Sequence, residues 1–254
     1  MSTDNNRGIR TDDSIFDGDV ICRQHKNGYR FSIDSVLVGH FLTPTNKSVI
    51  FDAGTGCGII PLILMYRWKE RIASIDALEI QPRLKQLADT NFRLNGISNK
   101  CHTIEGDISA VLQVLTPEQY DHTICNPPYY KVNSGRQSGD SEARAARHQL
   151  NGTISDFTKG CSAVLKNRGS AVFVYPAELS VELFEALAKT RLEIKRLQYV
   201  YSYPGNGEGA VLILVECIKN GGSGLKVLPP FYIYSEKNGE YSAEMKCLYQ
   251  QEPK

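Results

Sequence analysis

From Ser48 onward, short apolar runs alternate with longer stretches whose apolar residues recur at helical spacing. The strand-length runs are VIFDA, IASIDALEI, CHTIEG, HTICN and SAVFVYP, and the helical stretches between them are IIPLILMYRW, QPRLKQLADTNFRLNG and ISDFTKGCSAVLKNRG, the last ending at Gly169. Strands joined by helices of this length need crossover connections, which predict a parallel sheet with helices on both faces.

The last part of this alternation has a different spacing. After a helical stretch, ELSVELFEALAKT, two strand-like runs, EIKRLQYVYSY and AVLILVECIK, are separated only by PGNGEG. Such a short connection favours a hairpin, so one late strand should be antiparallel. The whole pattern predicts an α/β fold of Rossmann-like type, with a seven-stranded, mostly parallel sheet.

Four segments of different character divide the chain. We expect residues 1–14 to be disordered, because they are polar with few large apolar side chains. Residues 15–47 have a turn at Lys26–Gly28 and a helix from Ser32 or Asp34, and we interpret them as a lid. Residues 48–218 form the main domain, and residues 219–254 form an extension packed on it, with a hairpin signal at 237–239.

Composition excludes several classes of protein. The chain has 29 basic and 28 acidic residues, so no global charge selects nucleic acid or an anionic membrane. Seven scattered cysteines without a C-x-x-C pair predict reduced thiols and no metal site. The N-terminus is polar, and the longest apolar runs are shorter than the about 20 residues of a membrane span. We expect a cytoplasmic protein without a membrane partner, and a monomer.

A glycine-rich turn, FDAGTGCG, follows the first strand of the main domain and places Gly54, Gly56 and Gly58 before a helix. Glycines allow the backbone to turn tightly and approach a ligand, and the helix N-terminus offers free N–H groups. A dinucleotide fingerprint would need glycine where Ile59 stands, and the Gly-Lys-Ser/Thr ending of a phosphate loop is absent. Both alternatives are therefore disfavoured.

Acidic residues follow successive strands. Asp52 precedes the glycines, where a carboxylate would repel phosphate and attract an ammonium group. Glu79 ends the second strand, a position suited to binding ribose hydroxyls. Asp107 can accept from an adenine amine while Ile108 covers the ring. Each residue alone can be a solvated strand end, but together they describe S-adenosylmethionine as the cofactor.

The segment NPPY, Asn126 to Tyr129, follows the fourth strand. With DAGTGCG, it resembles the seven-stranded S-adenosylmethionine-dependent methyltransferases that act on a planar nitrogen. The resemblance implies that Asn126 and the Pro127 carbonyl accept the two N–H groups of the target amine. Pro128 stiffens the turn, and Tyr129 offers an aromatic face to a base taken out of its stack. The alternative is that NPPYY is only a rigid turn with tyrosines packed on the sheet edge.

Enzymes with NPPY methylate adenine in DNA, guanine or adenine in RNA, or glutamine in proteins. Three flanking segments, GYRFSIDSVLVGHFL, ARHQL and NGEYS, are similar to bacterial tRNA adenine N6-methyltransferases that modify the purine next to the anticodon of a valine tRNA. The resemblance implies direct methyl transfer to adenine N6 of a tRNA, with the base flipped into the site.

The segment after NPPY is basic, with seven basic against three acidic side chains between residues 131 and 168. Candidate RNA-binding residues are Lys131, Arg136, Arg144, Arg147 and His148. The alternative is a solvated surface loop. In the lid, Arg30, Asp34 and Ser35 can close over the methionine end of the cofactor, although Asp34 can equally cap a helix.

Other functions remain open from the sequence. The same NPPY motif suits N5-methylation of glutamine in a release factor, or methylation of guanine N2 or adenine N6 in ribosomal RNA. A non-catalytic nucleic-acid-binding protein with a vestigial pocket is a further alternative, and the intact acidic residues argue against it. A nicotinamide-dependent dehydrogenase is disfavoured by Ile59.

Overall fold

The computed structural model describes residues 10–25, 32–129 and 152–250. Its α-helices are α1 Ile33–Phe41, α2 Ile59–Trp68, α3 Pro82–Leu94, α4 Ile154–Val164, α5 Ser180–Ala188 and α6 Ala243–Leu248. Its strands are β1 Arg10–Ile15, β2 Val20–His25, β3 Ser48–Ala53, β4 Ile72–Glu79, β5 Cys101–Glu105, β6 Tyr120–Cys125, β7 Leu165–Pro176, β8 Leu192–Tyr201, β9 Leu212–Lys219, β10 Lys226–Val227 and β11 Phe231–Tyr232. Short 3-10 helices span Phe16–Gly18, Ile108–Gln113 and Ala177–Leu179.

The central sheet has the order β5-β4-β3-β6-β7-β9-β8, with the short β10 and β11 both pairing with β8. Neighbours from β5 to β7 are parallel, while β9 is antiparallel to β7 and to β8. The predicted α/β fold with one late antiparallel strand is therefore confirmed. Seven strands were expected, and the two short strands of the C-terminal extension make the described sheet nine-stranded.

Strand order explains where a ligand site can form. β3 pairs with β4 on one side and with β6 on the other, so the chain leaves β3 in one direction and returns on its far side. The carboxyl ends of parallel strands meet at one edge, and a crevice opens where the order reverses. Ala53, Glu79 and Cys125 end these strands at that edge.

Two hydrophobic cores cover the faces of the sheet. One contains buried side chains of α1, α2 and α3, and the other contains those of α4 and α5. Helix α2 is apolar around its whole N-terminal part, where residues 59–65 are all buried. Helix α3 instead buries one stripe that includes Leu84, Leu87 and Phe92, as expected for an amphipathic helix on the outside of a sheet.

The N-terminal hairpin corrects one expectation. Residues 10–14 were expected to be disordered, but they belong to β1, which pairs antiparallel with β2. Arg23 of β2 donates its backbone N–H to Asn91 Oδ1 at 2.8 Å, so the hairpin is attached to α3. The long-range pairing and this buried amide outweigh the low hydrophobicity of the segment.

The end of α4 was also predicted wrongly. The helix ends at Val164 instead of Gly169, because Leu165 already pairs with Tyr120 as the first residue of β7. Gly169 lies within the strand, where a β-carbon would come within 2.8 Å of the Asp121 carbonyl oxygen. Strand pairing here overrides the helical pattern of the local sequence.

The C-terminal extension pairs its two short strands with β8 and places α6 against α1. An antiparallel bridge joins Tyr234 to Tyr241, which confirms the hairpin predicted around residues 237–239. Ser242 caps α6 by accepting from Met245 N at 3.0 Å, and the Met245 side chain is fully buried.

The boundaries proposed for the main domain, residues 48 and 218, stay predictions. Within the described residues, no helix is long and apolar enough to cross a membrane.

Candidate active site

A pocket of about 410 Å³ opens at the carboxyl edge of the sheet, where the ends of β3, β4 and β6 converge. Its wall contains many of the residues predicted from the sequence, namely Gly54, Gly56, Glu79, Asp107, Ile108, Asn126, Pro127, Pro128 and Tyr129. Asp34, Asp52 and Gly58 lie outside this wall. The predicted residues therefore make up much of the wall. Asp34, Asp52 and Gly58 instead contact other parts of the protein, as described below.

The glycine loop between β3 and α2 has three residues with positive φ. The angles are 76° at Gly54, 60° at Gly56 and 84° at Gly58, which L side chains rarely adopt. A β-carbon on Gly54 would lie 3.1 Å from Phe157 Cε1, and one on Gly58 would lie 2.7 Å from Phe92 Cε1. Gly58 thus serves close packing of the loop on α3, while Gly54 and Gly56 face the pocket.

Glu79 fixes the loop from the end of β4. Its Oε2 accepts from the backbone N–H of Gly56 and its Oε1 from that of Gln81, both at 2.9 Å. Burial raises the pKa of Glu79, and the N–H groups of Gln81 and Gly56 oppose that rise. Each carboxylate oxygen keeps a second lone pair, so the side chain can also accept from two hydroxyls in the pocket.

Asp52 is completely buried beneath the glycine loop. Neither of its carboxylate oxygens has a hydrogen-bond partner within the described parts of the chain. Burial raises the pKa of Asp52 to about 7; the neighbouring Thr55 hydroxyl opposes this rise, and the negative charge of Glu79 adds to it. An unpaired buried carboxylate is costly, and a cationic group near the loop would relieve that cost.

Asp107 and Ile108 lie at the start of the 3-10 helix that follows β5. Asp107 caps this helix, with Oδ1 accepting from Ser109 N at 2.8 Å. Ile108 is buried against Gly160 of α4, where a β-carbon would come within 2.6 Å of Ile108 Cδ1. Asp107 is therefore a helix cap and a pocket residue at once, and the glycine of α4 makes room for Ile108.

The NPPY segment is held by side chains of α1. Asn126 Nδ2 donates to Ser35 Oγ at 3.1 Å, and the Tyr129 hydroxyl donates to Asp34 Oδ2. The Tyr129 ring meets Tyr175 edge-on, with ring centroids 6.3 Å apart. Asp34 does not cap α1, since the N-cap position belongs to Ser32.

Several residues that support the site were not predicted from the sequence. Phe157 of α4 lies in the pocket wall and against Gly54. Asn91 is fully buried, and its Nδ2 donates to the carbonyl of Cys57 in the glycine loop at 2.8 Å. The apolar stripe of α3 could have placed Asn91 inside the protein, but its partners come from distant segments and have no local signal.

Several predicted residues lie outside the described parts of the chain. They are Arg30, Lys131, Arg136, Arg144, Arg147 and His148. Tyr130, whose role the sequence left open, lies outside them as well.

The family model of the methyltransferase small domain matches residues 32–200, more than half of the chain and the whole of the pocket wall. The chain belongs to the methyltransferase small domain family. This methyltransferase is 31% identical over 170 residues to a protein of Aliivibrio salmonicida named tRNA1(Val) (adenine(37)-N6)-methyltransferase, with 67% of this chain and 70% of the relative covered. The resemblance to that group is therefore confirmed.

Solved structures agree on the fold. A structure described as a predicted O-methyltransferase from Agrobacterium tumefaciens superposes with a TM-score of 0.69 at 20% identity, covering 85% of this methyltransferase and 95% of that chain. Geranyl diphosphate C-methyltransferase from Streptomyces coelicolor, solved with S-adenosyl-L-homocysteine, gives a TM-score of 0.52 at 11% identity, covering 73% of this chain and 74% of that one. At these identities the likeness concerns the fold alone.

Proposed function

We propose that this methyltransferase transfers a methyl group from S-adenosylmethionine to N6 of an adenine in tRNA, the purine next to the anticodon of a valine tRNA. The named relative supports the choice of substrate. The observation that carries the reaction is the orientation of Asn126, whose Nδ2 is engaged by Ser35 while Oδ1 has no hydrogen-bond partner among the described residues. A tRNA substrate also supports the expected cytoplasmic location.

The pocket suits the proposed cofactor by its charge. Among the described wall residues, Glu79 and Asp107 are acidic and none is Lys or Arg, which disfavours a ligand with phosphates. Glu79 can accept from the two ribose hydroxyls, Asp107 from the adenine amine, and buried Asp52 favours the cationic amino-acid end. When bound, S-adenosylmethionine supplies a methyl group on a positively charged sulfur.

The NPPY segment would activate the target amine. The lone pair of an adenine amine is delocalised into the ring, so the nitrogen is a poor nucleophile until it becomes pyramidal. Asn126 Oδ1 and the Pro127 carbonyl can each accept one of its N–H groups, which directs the lone pair out of the ring plane. Tyr129 can stack on the flipped base. Catalysis then rests on alignment and hydrogen bonding, without a covalent enzyme intermediate.

The basic residues after NPPY are proposed as the RNA contact. Lys131, Arg136, Arg144, Arg147 and His148 follow the pocket segment directly in the chain, and neutralised phosphates would give salt-dependent binding. We propose Arg30 as a contact to the cofactor from the lid.

Transfer of labelled methyl groups tests this function. The purified protein is incubated with labelled S-adenosylmethionine and total tRNA from a strain lacking its gene, and the tRNA is digested to nucleosides. We expect the label in N6-methyladenosine of one valine tRNA. Label confined to N2-methylguanosine, to ribosomal RNA or to glutamine of a release factor would overturn the proposal, and tRNA from the parent strain is the control that should accept little label.

A further inference from the structure

The first turn of α1 makes two hydrogen bonds to the NPPY segment, one to each of its polar side chains. Ser35 Oγ accepts from Asn126 Nδ2 at 3.1 Å, and Asp34 Oδ2 accepts from the Tyr129 hydroxyl. Both α1 residues are buried, with exposures of 1% for Ser35 and 5% for Asp34. Neither lies in the pocket wall, so neither is placed to touch a ligand there.

The bond to Ser35 engages the nitrogen end of the Asn126 carboxamide and so holds the group in place. A carboxamide has an acceptor oxygen and a donor nitrogen on one planar group, and the two ends differ in what they can bind. With Nδ2 directed at Ser35, the opposite end, Oδ1, is left to accept from a substrate amine. The reverse orientation would direct N–H groups at the amine and repel it.

The bond to Asp34 has a corresponding effect on Tyr129. A phenol that donates to a carboxylate forms a strong hydrogen bond, which fixes the position of the hydroxyl end of the ring. Tyr175 contacts the same ring edge-on at 80°, so the ring is restrained from two directions. The face of Tyr129 is thereby held for stacking instead of rotating freely.

Helix α1 is itself packed tightly into the fold, so it can hold the NPPY side chains in fixed positions. A β-carbon on Gly39 would lie 2.9 Å from Ile63 Cγ2, so α1 and α2 are in close contact there. At its other end, Arg196 of β8 donates to the Phe41 carbonyl at 2.6 Å and lies 4.3 Å from the centre of the Phe41 ring. Groups held by rigid elements keep the geometry that catalysis needs.

We propose that Ser35 and Asp34 are positioning residues for methyl transfer: Ser35 holds the carboxamide of Asn126 in place, and Asp34 holds the hydroxyl end of Tyr129. The inference deepens the proposed function and rests on it only for the turnover assay. In this role α1 supports the residues that bind the methyl-accepting amine, whereas the sequence predicted that Asp34 and Ser35 close over the methionine end of the cofactor.

Ser35→Ala tests the amide, with Ser48→Ala as its matched control. Ser48 is equally buried, and its hydroxyl has no hydrogen-bond partner among the described residues, so the control removes the same atom without touching NPPY. We expect Ser35→Ala to lower kcat by about tenfold to a hundredfold, as a misplaced reacting group does, while affinity for S-adenosylhomocysteine by calorimetry stays within about twofold. Ser48→Ala should leave both unchanged, and Ser35→Thr should restore most of kcat.

A second measurement needs no substrate or cofactor. The side-chain amide signals of Asn126, assigned by their absence in Asn126→Ala, are followed by 15N-1H NMR. We expect them to shift in Ser35→Ala and to stay in place in Ser48→Ala. If the wild type methylates no tRNA, the proposed function fails, while this spectrum still decides the contact between Ser35 and Asn126.

A double-mutant cycle tests Asp34. If Asp34 acts through Tyr129, Asp34→Ala and Tyr129→Phe should each lower kcat, and the double variant should lose no more than the larger single loss. Asp34→Asn serves the same cycle if the alanine variant does not fold. Additive losses would overturn the role of Asp34. A loss of cofactor affinity parallel to kcat, equal effects of Ser35→Ala and Ser48→Ala, or an unmoved Asn126 amide signal would overturn the role of Ser35.

Discussion

The glycine loop and the NPPY segment lie at the same edge of the sheet and each follows a buried strand, but they are supported from different distances along the chain. The loop rests on Glu79, Asn91 and Phe92, which belong to the next strand and the helix after it. The NPPY segment is held by α1, whose contacting side chains lie 91 and 95 residues earlier. Local folding therefore builds the loop, whereas the geometry of NPPY depends on where α1 docks.

This difference should separate two kinds of failure. Changes in the loop should reduce stability and cofactor affinity together, because its glycines serve packing and its backbone N–H groups serve the site. Changes in NPPY should reduce turnover while the cofactor still binds, because the carboxylates proposed to contact the cofactor, Glu79 and Asp107, lie at the end of β4 and just after β5.

The largest expected effect comes from Asn126→Ala. Removing the acceptor from the transition state should lower kcat by about 10³-fold, close to 4 kcal/mol, while the dissociation constant for S-adenosylhomocysteine changes by no more than about threefold. Single-turnover transfer to tRNA and calorimetry measure the two quantities. Asn99→Ala, which removes an exposed carboxamide, is the control and should change neither.

A parallel loss of cofactor affinity in Asn126→Ala would contradict this separation between the glycine loop and the NPPY segment. It would mean that Asn126 mainly shapes the cofactor pocket, and that loop and segment act as one binding unit.

Gly58→Ala should have the next largest effect and acts on the loop. The added β-carbon would lie 2.7 Å from Phe92 Cε1 and 3.2 Å from the Ala88 β-carbon, at a φ of 84°. Strain and overpacking together should lower the free energy of unfolding by about 3 kcal/mol. Gly96→Ala separates the two causes, because Gly96 also has a positive φ of 64° but no atom within 4 Å of the new carbon. It should cost only about 1 kcal/mol by denaturant titration.

Equal losses in Gly58→Ala and Gly96→Ala would show that backbone strain alone matters at these positions. The packing of the loop on α3 would then contribute little to its stability.

The same distinction between local and distant support explains what could be predicted from the sequence. Gly54, Gly56 and Glu79 were identified because strand, turn and helix follow one another within a single unit, and each step has its own local pattern. The contacts of Ser35 and Asp34 with NPPY had no such pattern, since they depend on tertiary docking. The end of α4 was missed for the same reason, because pairing of Leu165 with Tyr120 decides it.

Asp52→Asn should have the third largest effect. It should raise the stability of the cofactor-free protein and weaken the binding of S-adenosylhomocysteine. Asp52 has a pKa of about 7 in the folded protein against an ordinary value of 3.8, so the folded state binds the proton more tightly. The free energy of unfolding of the cofactor-free protein should therefore fall as pH rises between these two values, and change little above the higher one. Asp52→Asn should remove this dependence and stabilise the cofactor-free protein at about pH 8, where the wild-type carboxylate is charged and buried.

Affinity for S-adenosylhomocysteine should depend on pH in the opposite direction from stability. It should rise in the wild type as Asp52 ionises toward neutral pH, and be weaker and flatter in Asp52→Asn. Glu79, whose pKa burial also raises, gives a dependence of the same sign, so the difference between wild type and variant isolates Asp52. Denaturant titrations and calorimetry across this range provide both curves, and identical curves for the two proteins would remove Asp52 from the cofactor site.

The smallest effect concerns Phe157, which lies against Gly54 from α4 and is the distant contact of an otherwise locally supported loop. Phe157→Leu should weaken S-adenosylhomocysteine binding by about threefold, less than 1 kcal/mol, and leave kcat at saturation unchanged. Phe173→Leu is the matched control, since Phe173 is fully buried in the same core but outside the pocket wall. Both variants should lose about 1 kcal/mol of stability, and only the first should lose affinity. If Phe157→Leu instead lowered kcat at saturation, the contact from α4 would affect the reacting groups as well as cofactor binding. The glycine loop would then not be independent of distant parts of the fold.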